Sequence, residues 1–151
     1  MEKIWHVVIL SLGSLPIMAG FLADWWKKQR LEKAKEFEKS KNYRQAAEIY
    51  ENIGDYGEAA RCYKSAEAYS SSAKAHEQAG NYYGAAVMYQ KAGNHSSAAK
   101  IFEQIEKYDE ACYRYYDAKN YVKSIETAIQ ALNTRKNNHM ILWLFAKAIT
   151  E

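Results

Sequence analysis

The pattern of apolar and polar positions repeats every thirteen residues through the middle of the chain. Aromatic residues head each unit, alanines follow four residues later, and a second aromatic column lies seven residues after the first. A fourth column, mostly alanine and isoleucine, lies ten residues after the first. The heading column consists of Tyr43, Tyr56, Tyr69, Tyr82, His95, Tyr108 and Tyr121. Offsets of zero, four, seven and ten residues fall on one face of an α-helix, so each unit is predicted to be a short amphipathic helix.

Turn residues stand where the apolar face of each unit ends. Gly54, Gly80 and Gly93 follow the last apolar position, and Asp55, Asn81 and Asn94 come next. Glycine closes a helix in the left-handed conformation, and a short polar side chain accepts the free amides of the next helix. We therefore predict turns near residues 41, 54, 67, 80, 93, 106 and 119, with consecutive helices antiparallel.

Some local details of these turns follow from single residues. Asp55 with Glu58, and Asn42 with Gln45, have the spacing of a capping box. The turn near residue 67 has neither glycine nor asparagine, and the three serines 70–72 follow it. That unit is therefore predicted to begin with a slightly irregular turn.

A single helix of this kind cannot bury its apolar face, whereas stacked neighbours share a continuous core. Paired alanines such as Ala59 and Ala60 let helix backbones approach closely. The sequence therefore predicts an all-α fold, an α-solenoid of at least eight short helices.

The repeat units resemble those of a known class of helical-repeat proteins. Segments such as GDYGEAARCYKSA (54–66) and GNYYGAAVMYQKA (80–92) are similar to the repeats of tetratricopeptide-type superhelices. The similarity is particularly to the soluble NSF attachment protein and coatomer-like group, and it covers about residues 34–132. This resemblance implies a right-handed-type α-solenoid whose surface binds other proteins.

The first part of the chain has a different pattern. Residues 4–23 contain no Asp, Glu, Lys or Arg, and a helix of about twenty such residues matches the hydrocarbon thickness of a bilayer. Trp5 lies at one end, with Trp25 and Trp26 at the other, where indoles collect at membrane interfaces. We predict a single transmembrane anchor over residues 1–26 and a tetratricopeptide-like solenoid domain over residues 27–151. A cleaved signal peptide and a buried soluble helix are the alternatives.

Positive charge follows the apolar segment. Lys27, Lys28, Arg30, Lys33 and Lys35 come after it, and only Lys3 precedes it. Because basic flanks stay on the cytoplasmic side, we expect a single-pass protein whose C-terminal domain lies on the cytoplasmic or matrix-like side. The basic segment is interpreted as an orientation signal, and Lys27 and Lys28 are predicted to lie at the membrane interface, within reach of anionic headgroups. A solvated helix face is the alternative.

No residue pattern indicates catalysis, a cofactor or a metal. Cys62 and Cys112 fall in or beside core positions, as small buried hydrophobes do. His76 and His95 occupy aromatic core positions and show no metal-binding spacing. Most of the 13 tyrosines lie in the two periodic columns, which favours core packing over the stacking of nucleic-acid bases. We therefore expect neither an enzyme nor a nucleic-acid-binding protein.

The C-terminal run 140–146 is apolar on every face of a helix. Because a terminal repeat helix normally has a polar outer face, one side of this helix is predicted to contact another chain or the membrane. Leu142, Trp143 and Phe145 are the candidate partner-binding residues. A simple buried cap is the alternative.

Two functions fit these patterns. The first is a membrane-anchored receptor, adaptor or scaffold that binds proteins through its repeat surface, as the resemblance implies. The second is a structural accessory subunit of a multisubunit membrane complex. Small residues that support packing between spans, namely Ser11, Gly13, Ser14 and Gly20, favour the second function slightly.

Overall fold

The computed structural model of the protein describes residues 16–134 and 139–150, with side chains for residues 20–134 and 141–150. Within these ranges the chain forms nine helices and no strand, which confirms the predicted all-α class. The helices are α1 (Pro16–Lys39), α2 (Tyr43–Asn52), α3 (Tyr56–Ser65), α4 (Tyr69–Gln78), α5 (Tyr82–Lys91), α6 (His95–Gln104), α7 (Tyr108–Asp117), α8 (Tyr121–Thr134) and α9 (His139–Thr150). Each helix packs mainly on the one before it and the one after it. The chain is therefore a stack of consecutive helices.

The turns lie where the thirteen-residue period predicts them. The backbone has a positive φ at residues 41, 54, 67, 80, 93, 106 and 119. At the first glycine turn, the N–H of Asp55 donates to the carbonyl of Tyr50, and the N–H of Gly54 donates to that of Glu51. This pair of bonds defines a Schellman motif, and all seven turns contain it. The next helix begins two residues after each left-handed position.

Side-chain caps start several of the helices. The side-chain oxygens of Asp55, Asn81, Asn94 and Asn120 each accept the N–H of the residue three positions later. The predicted capping boxes are incomplete. Asn42 makes no side-chain cap, and its amide group donates to the Ser40 hydroxyl. The Glu58 carboxylate binds Arg61, which leaves Asp55 as the capping half of its pair.

Small residues form the centre of the stack. The predicted alanine column is fully buried at Ala47, Ala60, Ala73, Ala86, Ala99 and Cys112. The column ten residues after the heading tyrosines is a weaker core position than predicted, since Ala79 and Ala92 are exposed. These residues are the C-caps of their helices, so they lie at the edge of the packed face.

The serine-rich unit is regular, contrary to the expected irregular turn. Ser72 stands in a buried column that alanine fills in other units, and its hydroxyl donates to the carbonyl of Ala60 at 2.7 Å. Ser124 makes the equivalent bond to Cys112 at 2.9 Å. A hydroxyl fits here because the neighbouring helix backbone is close enough to accept its hydrogen bond.

The first helix extends beyond the stack. At the standard rise α1 is about 36 Å long, whereas α2 is about 15 Å long, so the N-terminal part of α1 projects past the end of α2. Most of the predicted span lies outside the described residues. Within the described ranges, no helix combines the length and the apolar character that a membrane crossing requires.

Candidate functional site

The last helix exposes apolar side chains at the end of the stack. Ile141, Leu144 and Ala148 face inward and are buried. Leu142, Trp143 and Ile149 are 45%, 58% and 59% exposed, and we call these three residues the C-terminal surface. Phe145, the third candidate partner-binding residue, is half-buried and packs against the core. It therefore supports the helix from inside.

A lysine holds the exposed indole in place. The Lys147 ammonium lies 5.1 Å from the Trp143 ring centroid and 5.2 Å from that of Tyr116. A cation between two aromatic faces is attracted to both. This contact ties the C-terminal surface to α7 and leaves most of the indole open to solvent.

The projecting part of α1 carries a second exposed region. Its apolar members are Phe21, Leu22, Trp25 and Trp26, and its basic members are Lys27, Lys28 and Arg30. We call these seven residues the N-terminal collar. The rings of Trp25 and Trp26 pack edge to face with centroids 5.3 Å apart. Trp5, the remaining predicted interface residue, lies outside the described part of the chain.

Tyrosine hydroxyls connect successive helices. In four places a tyrosine donates to the carboxylate of the glutamate twelve residues earlier, and we call these contacts the tyrosine–glutamate clasps. They join Tyr50 to Glu38, Tyr63 to Glu51, Tyr89 to Glu77 and Tyr115 to Glu103, with oxygen distances of 2.6 to 2.8 Å. The side chain of a helical residue leans toward the N-terminus of its helix, so each tyrosine points back toward the preceding turn. There it meets a glutamate near the end of the helix before.

The clasps change the acidity of the groups that form them. Burial and the hydrogen bond to Glu77 raise the pKa of Tyr89 to about 12. Burial would raise the pKa of the Glu38 carboxyl, but hydrogen bonds from Tyr50 and Arg61 lower it below its ordinary value. The clasp between Tyr50 and Glu38 is therefore a neutral phenol bound to a charged carboxylate near neutral pH.

Among the joints from α1 to α7, two lack a clasp because both partners differ. Between α3 and α4 the pair is Lys64 and His76, and between α5 and α6 it is Gln90 and Phe102. Burial and the charge of Lys64 lower the pKa of His76. In α2 to α7, the column seven residues after each heading residue thus holds tyrosine only where a glutamate lies twelve residues earlier. This correlation is visible in the sequence alone.

The cysteines fit the predicted structural role. Cys62 and Cys112 are buried and free, and burial raises their pKa values to about 11 and about 12. Such thiols are protonated at neutral pH and are poor nucleophiles. In the described ranges, no group of three or more His, Cys, Asp or Glu side chains is placed to hold a metal ion.

Comparisons with known proteins assign no family to the chain. The two segments on which the resemblance rests form α3 and α5 with their preceding turn residues. No protein-family model matches the chain, and no curated protein or solved structure is significantly similar to it. Its description as a helical-repeat protein therefore rests on its own period and on the consecutive packing of its helices.

Proposed function

We propose that the chain is a membrane-anchored helical-repeat protein that mediates protein–protein interaction as a receptor, adaptor or scaffold. The observation that supports this proposal most is the exposed apolar side chains at both ends of the helical stack, at the N-terminal collar and the C-terminal surface. Exposed aromatic groups of this kind are enriched where proteins meet partners or bilayers. In this proposal the stack is a right-handed, tetratricopeptide-like spacer between the two ends.

The N-terminal end is the proposed anchor. The uncharged residues 4–23 lead into the collar, whose indoles and lysines are the residue types found at membrane interfaces. Because basic flanks stay on the cytoplasmic side of a membrane, the proposed orientation has the stack on the cytoplasmic or matrix-like side. Retention in alkali-washed membranes and protection of a tag at Glu151 from protease added to the opposite side test both points. Release by alkali would contradict the anchor.

The C-terminal end is the proposed partner site. Leu142 and Trp143 are large, apolar and exposed, and a tryptophan that becomes desolvated in an interface is a common source of binding energy. We expect L142D/W143D to lose proteins that co-purify with the wild-type chain in mild detergent. K100D/Q104D is the control, since both of its positions are exposed on α6 in the middle of the stack. Retention of every partner by L142D/W143D would show that α9 only caps the stack.

An accessory subunit of a membrane complex is the second candidate. Among the described residues, none has an atom within 4 Å of the position of a Cβ on Gly20, one of the small residues in the apolar segment. In this second proposal, Gly20 packs against another span. The same purification separates the two functions. A fixed stoichiometric set of proteins supports the subunit, and a substoichiometric client supports the adaptor.

A further inference from the structure

The face of α1 that packs on α2 continues past the end of α2. Leu31, Ala34 and Phe37 form this face inside the stack. Positions 27 and 30 precede residue 34 by seven and four residues, so they lie on the same side of the helix. Here the packing face changes from apolar to basic, because these positions hold Lys27 and Arg30.

An open groove lies where this face of α1 changes from apolar to basic. Trp26, Lys27 and Arg30 line it from α1, and Asn52 and Ile53 line it from the end of α2, around a volume of about 470 Å³. A second hollow, of about 520 Å³, shares Trp26, Arg30 and Asn52, and it is also lined by Lys33, Glu32 and Glu36. We call the first of these the collar groove. It has two cations, an indole and an apolar floor at Ile53.

Among the residues that the structure describes, the cations of the collar groove form no ion pair. Within the described ranges, ion pairs use Lys35, Arg61, Arg114 and Lys123, and none involves Lys27, Lys28 or Arg30. Glu32, the nearest carboxylate along the helix on the C-terminal side, binds Lys35 at 3.0 Å. The groove therefore presents two cations without an ion pair, with Asp24 as the carboxylate one turn before Lys27.

We propose that the collar groove binds the headgroups of anionic phospholipids at a bilayer surface. A phosphate matches the charge of Lys27 and Arg30, and arginine can bind phosphate oxygens through two parallel hydrogen bonds. The adjoining Phe21, Leu22 and Trp25 are exposed apolar groups, which suit the acyl boundary of a bilayer better than a nucleic acid. This inference rests on the proposed membrane function, and it adds a lipid class and a contact that fixes the stack against the membrane.

The test uses a fluorescent label beside the groove in the full chain. Glu48 is exposed one turn before Asn52 on α2 and lines neither hollow, and both native cysteines are buried, so Glu48→Cys gives one reactive thiol. The labelled chain is reconstituted into vesicles of phosphatidylcholine or of three parts phosphatidylcholine to one part phosphatidylserine. Each vesicle type carries a trace of lipid with a spin label on its headgroup. Quenching of the fluorophore then reports contact between the groove and the headgroups.

We expect greater quenching with phosphatidylserine and reversal of the difference by salt. In K27Q/R30Q the equilibrium constant for this contact should fall about 30-fold, since each cation near a charged surface contributes about a fivefold effect. K74Q/K100Q, which changes two exposed lysines in the middle of the stack, should behave like wild type. Unchanged thermal unfolding of K27Q/R30Q would show that the stack remains folded.

Several outcomes would overturn the proposal. These are equal quenching in both vesicle types, full retention of the difference in K27Q/R30Q, and protection of the label by single-stranded RNA with no effect of vesicles. Retention of the chain in alkali-washed phosphatidylcholine vesicles is measured on the same samples and tests the anchor alone. If the chain is retained but shows no lipid preference, only the proposal of headgroup binding at the collar groove is overturned. If the chain binds phosphatidylserine vesicles through Lys27 and Arg30 but is released by alkali, only the proposed anchor is overturned.

Discussion

At the residue scale, the tyrosine–glutamate clasps explain why tyrosine is so frequent at a buried column. Tyr50, Tyr63 and Tyr115 are almost fully buried, yet each hydroxyl reaches a carboxylate at the edge of the stack. The ring fills the space between two helices, and the hydroxyl fixes how they are placed. Phenylalanine can supply only the first of these contributions, as Phe102 does where Gln90 replaces glutamate.

Removing one clasp should weaken the stack measurably. We expect Tyr63→Phe to lower the free energy of unfolding by about 1 kcal/mol, because the Glu51 carboxylate loses a hydrogen bond but can be rehydrated. The half-buried Tyr56 makes no clasp, so Tyr56→Phe is the matched control and should change stability little. Thermal unfolding of the full chain in detergent, followed by circular dichroism, measures both. Equal effects of the two substitutions would contradict the role of the hydroxyl.

His76, which stands where other helices have a clasp tyrosine, should make the free energy of unfolding depend on pH. Its pKa is lowered in the folded state by burial and by Lys64, and Asn81 is its other polar neighbour at 3.4 Å. The unfolded chain therefore binds more protons as the pH falls through the ordinary histidine pKa of about 6.5. The contribution of neutral His76 to the free energy of unfolding is therefore present above that pH and is lost as the pH falls below it. His76→Phe should reduce the decrease in melting temperature between pH 7.5 and 5.5, and an unchanged decrease would exclude His76 as its source.

At the element scale, the helices and turns could be predicted because a short period repeats local signals. Glycine at three turns and N-capping residues after them fixed the period, and the same register placed turns at residues 41, 67, 106 and 119 without glycine. The clasps were not predicted, because they depend on how two helices are placed in space. The outward position of Leu142 and Trp143, against the inward position of Phe145, likewise depends on which side of α9 meets the stack.

The glycines should respond to substitution according to their backbone conformation. Gly80 has a φ of +73° and open space around it, so only the left-handed backbone restricts it. Gly57 lies in the first turn of α3, where a Cβ would make only an ordinary contact with Asp55 at 3.9 Å. We expect Gly80→Ala to destabilise the protein by about 1 kcal/mol and Gly57→Ala to stabilise it by up to about 1 kcal/mol. Thermal unfolding with the same sign for both substitutions would contradict these assignments.

The alanine columns set the distance between helices. Ala86 is fully buried between neighbouring helices, so Ala86→Leu should destabilise the protein by about 1 to 3 kcal/mol through overpacking. Ala79 is exposed at a C-cap, and Ala79→Leu provides the control with the same added volume. Melting temperatures of the two variants decide the matter. A loss no larger for Ala86→Leu than for Ala79→Leu would mean that the helices do not approach closely at this column.

At the scale of the whole molecule, the core is divided along the stack. One buried cluster extends from α1 to α4, a second from α4 to α7, and a third from α7 to α9. Helix α4 buries only Ser72, Ala73 and Ala75, with Ala75 in the first cluster and Ala73 in the second. The joint between α3 and α4 also lacks a clasp. Because interactions in a repeat stack are between neighbours, a weak joint is where local opening begins.

We therefore expect the amides of α4 to exchange with deuterium faster than those of α3 and α5. The double substitution K64E/H76Y places a glutamate and a tyrosine at the equivalent clasp positions, and it should slow the exchange of α4 selectively. Thermodynamic coupling between the two substitutions should be about 0.5 to 1.5 kcal/mol, while each alone leaves its new group without a partner. Hydrogen exchange read by mass spectrometry of α4 peptides measures the effect. Slower exchange in α4 than in α3 and α5 of the wild-type chain would place the weak joint elsewhere. Additive effects of the two substitutions on the free energy of unfolding would mean that helices α3 and α4 are not positioned to form a clasp.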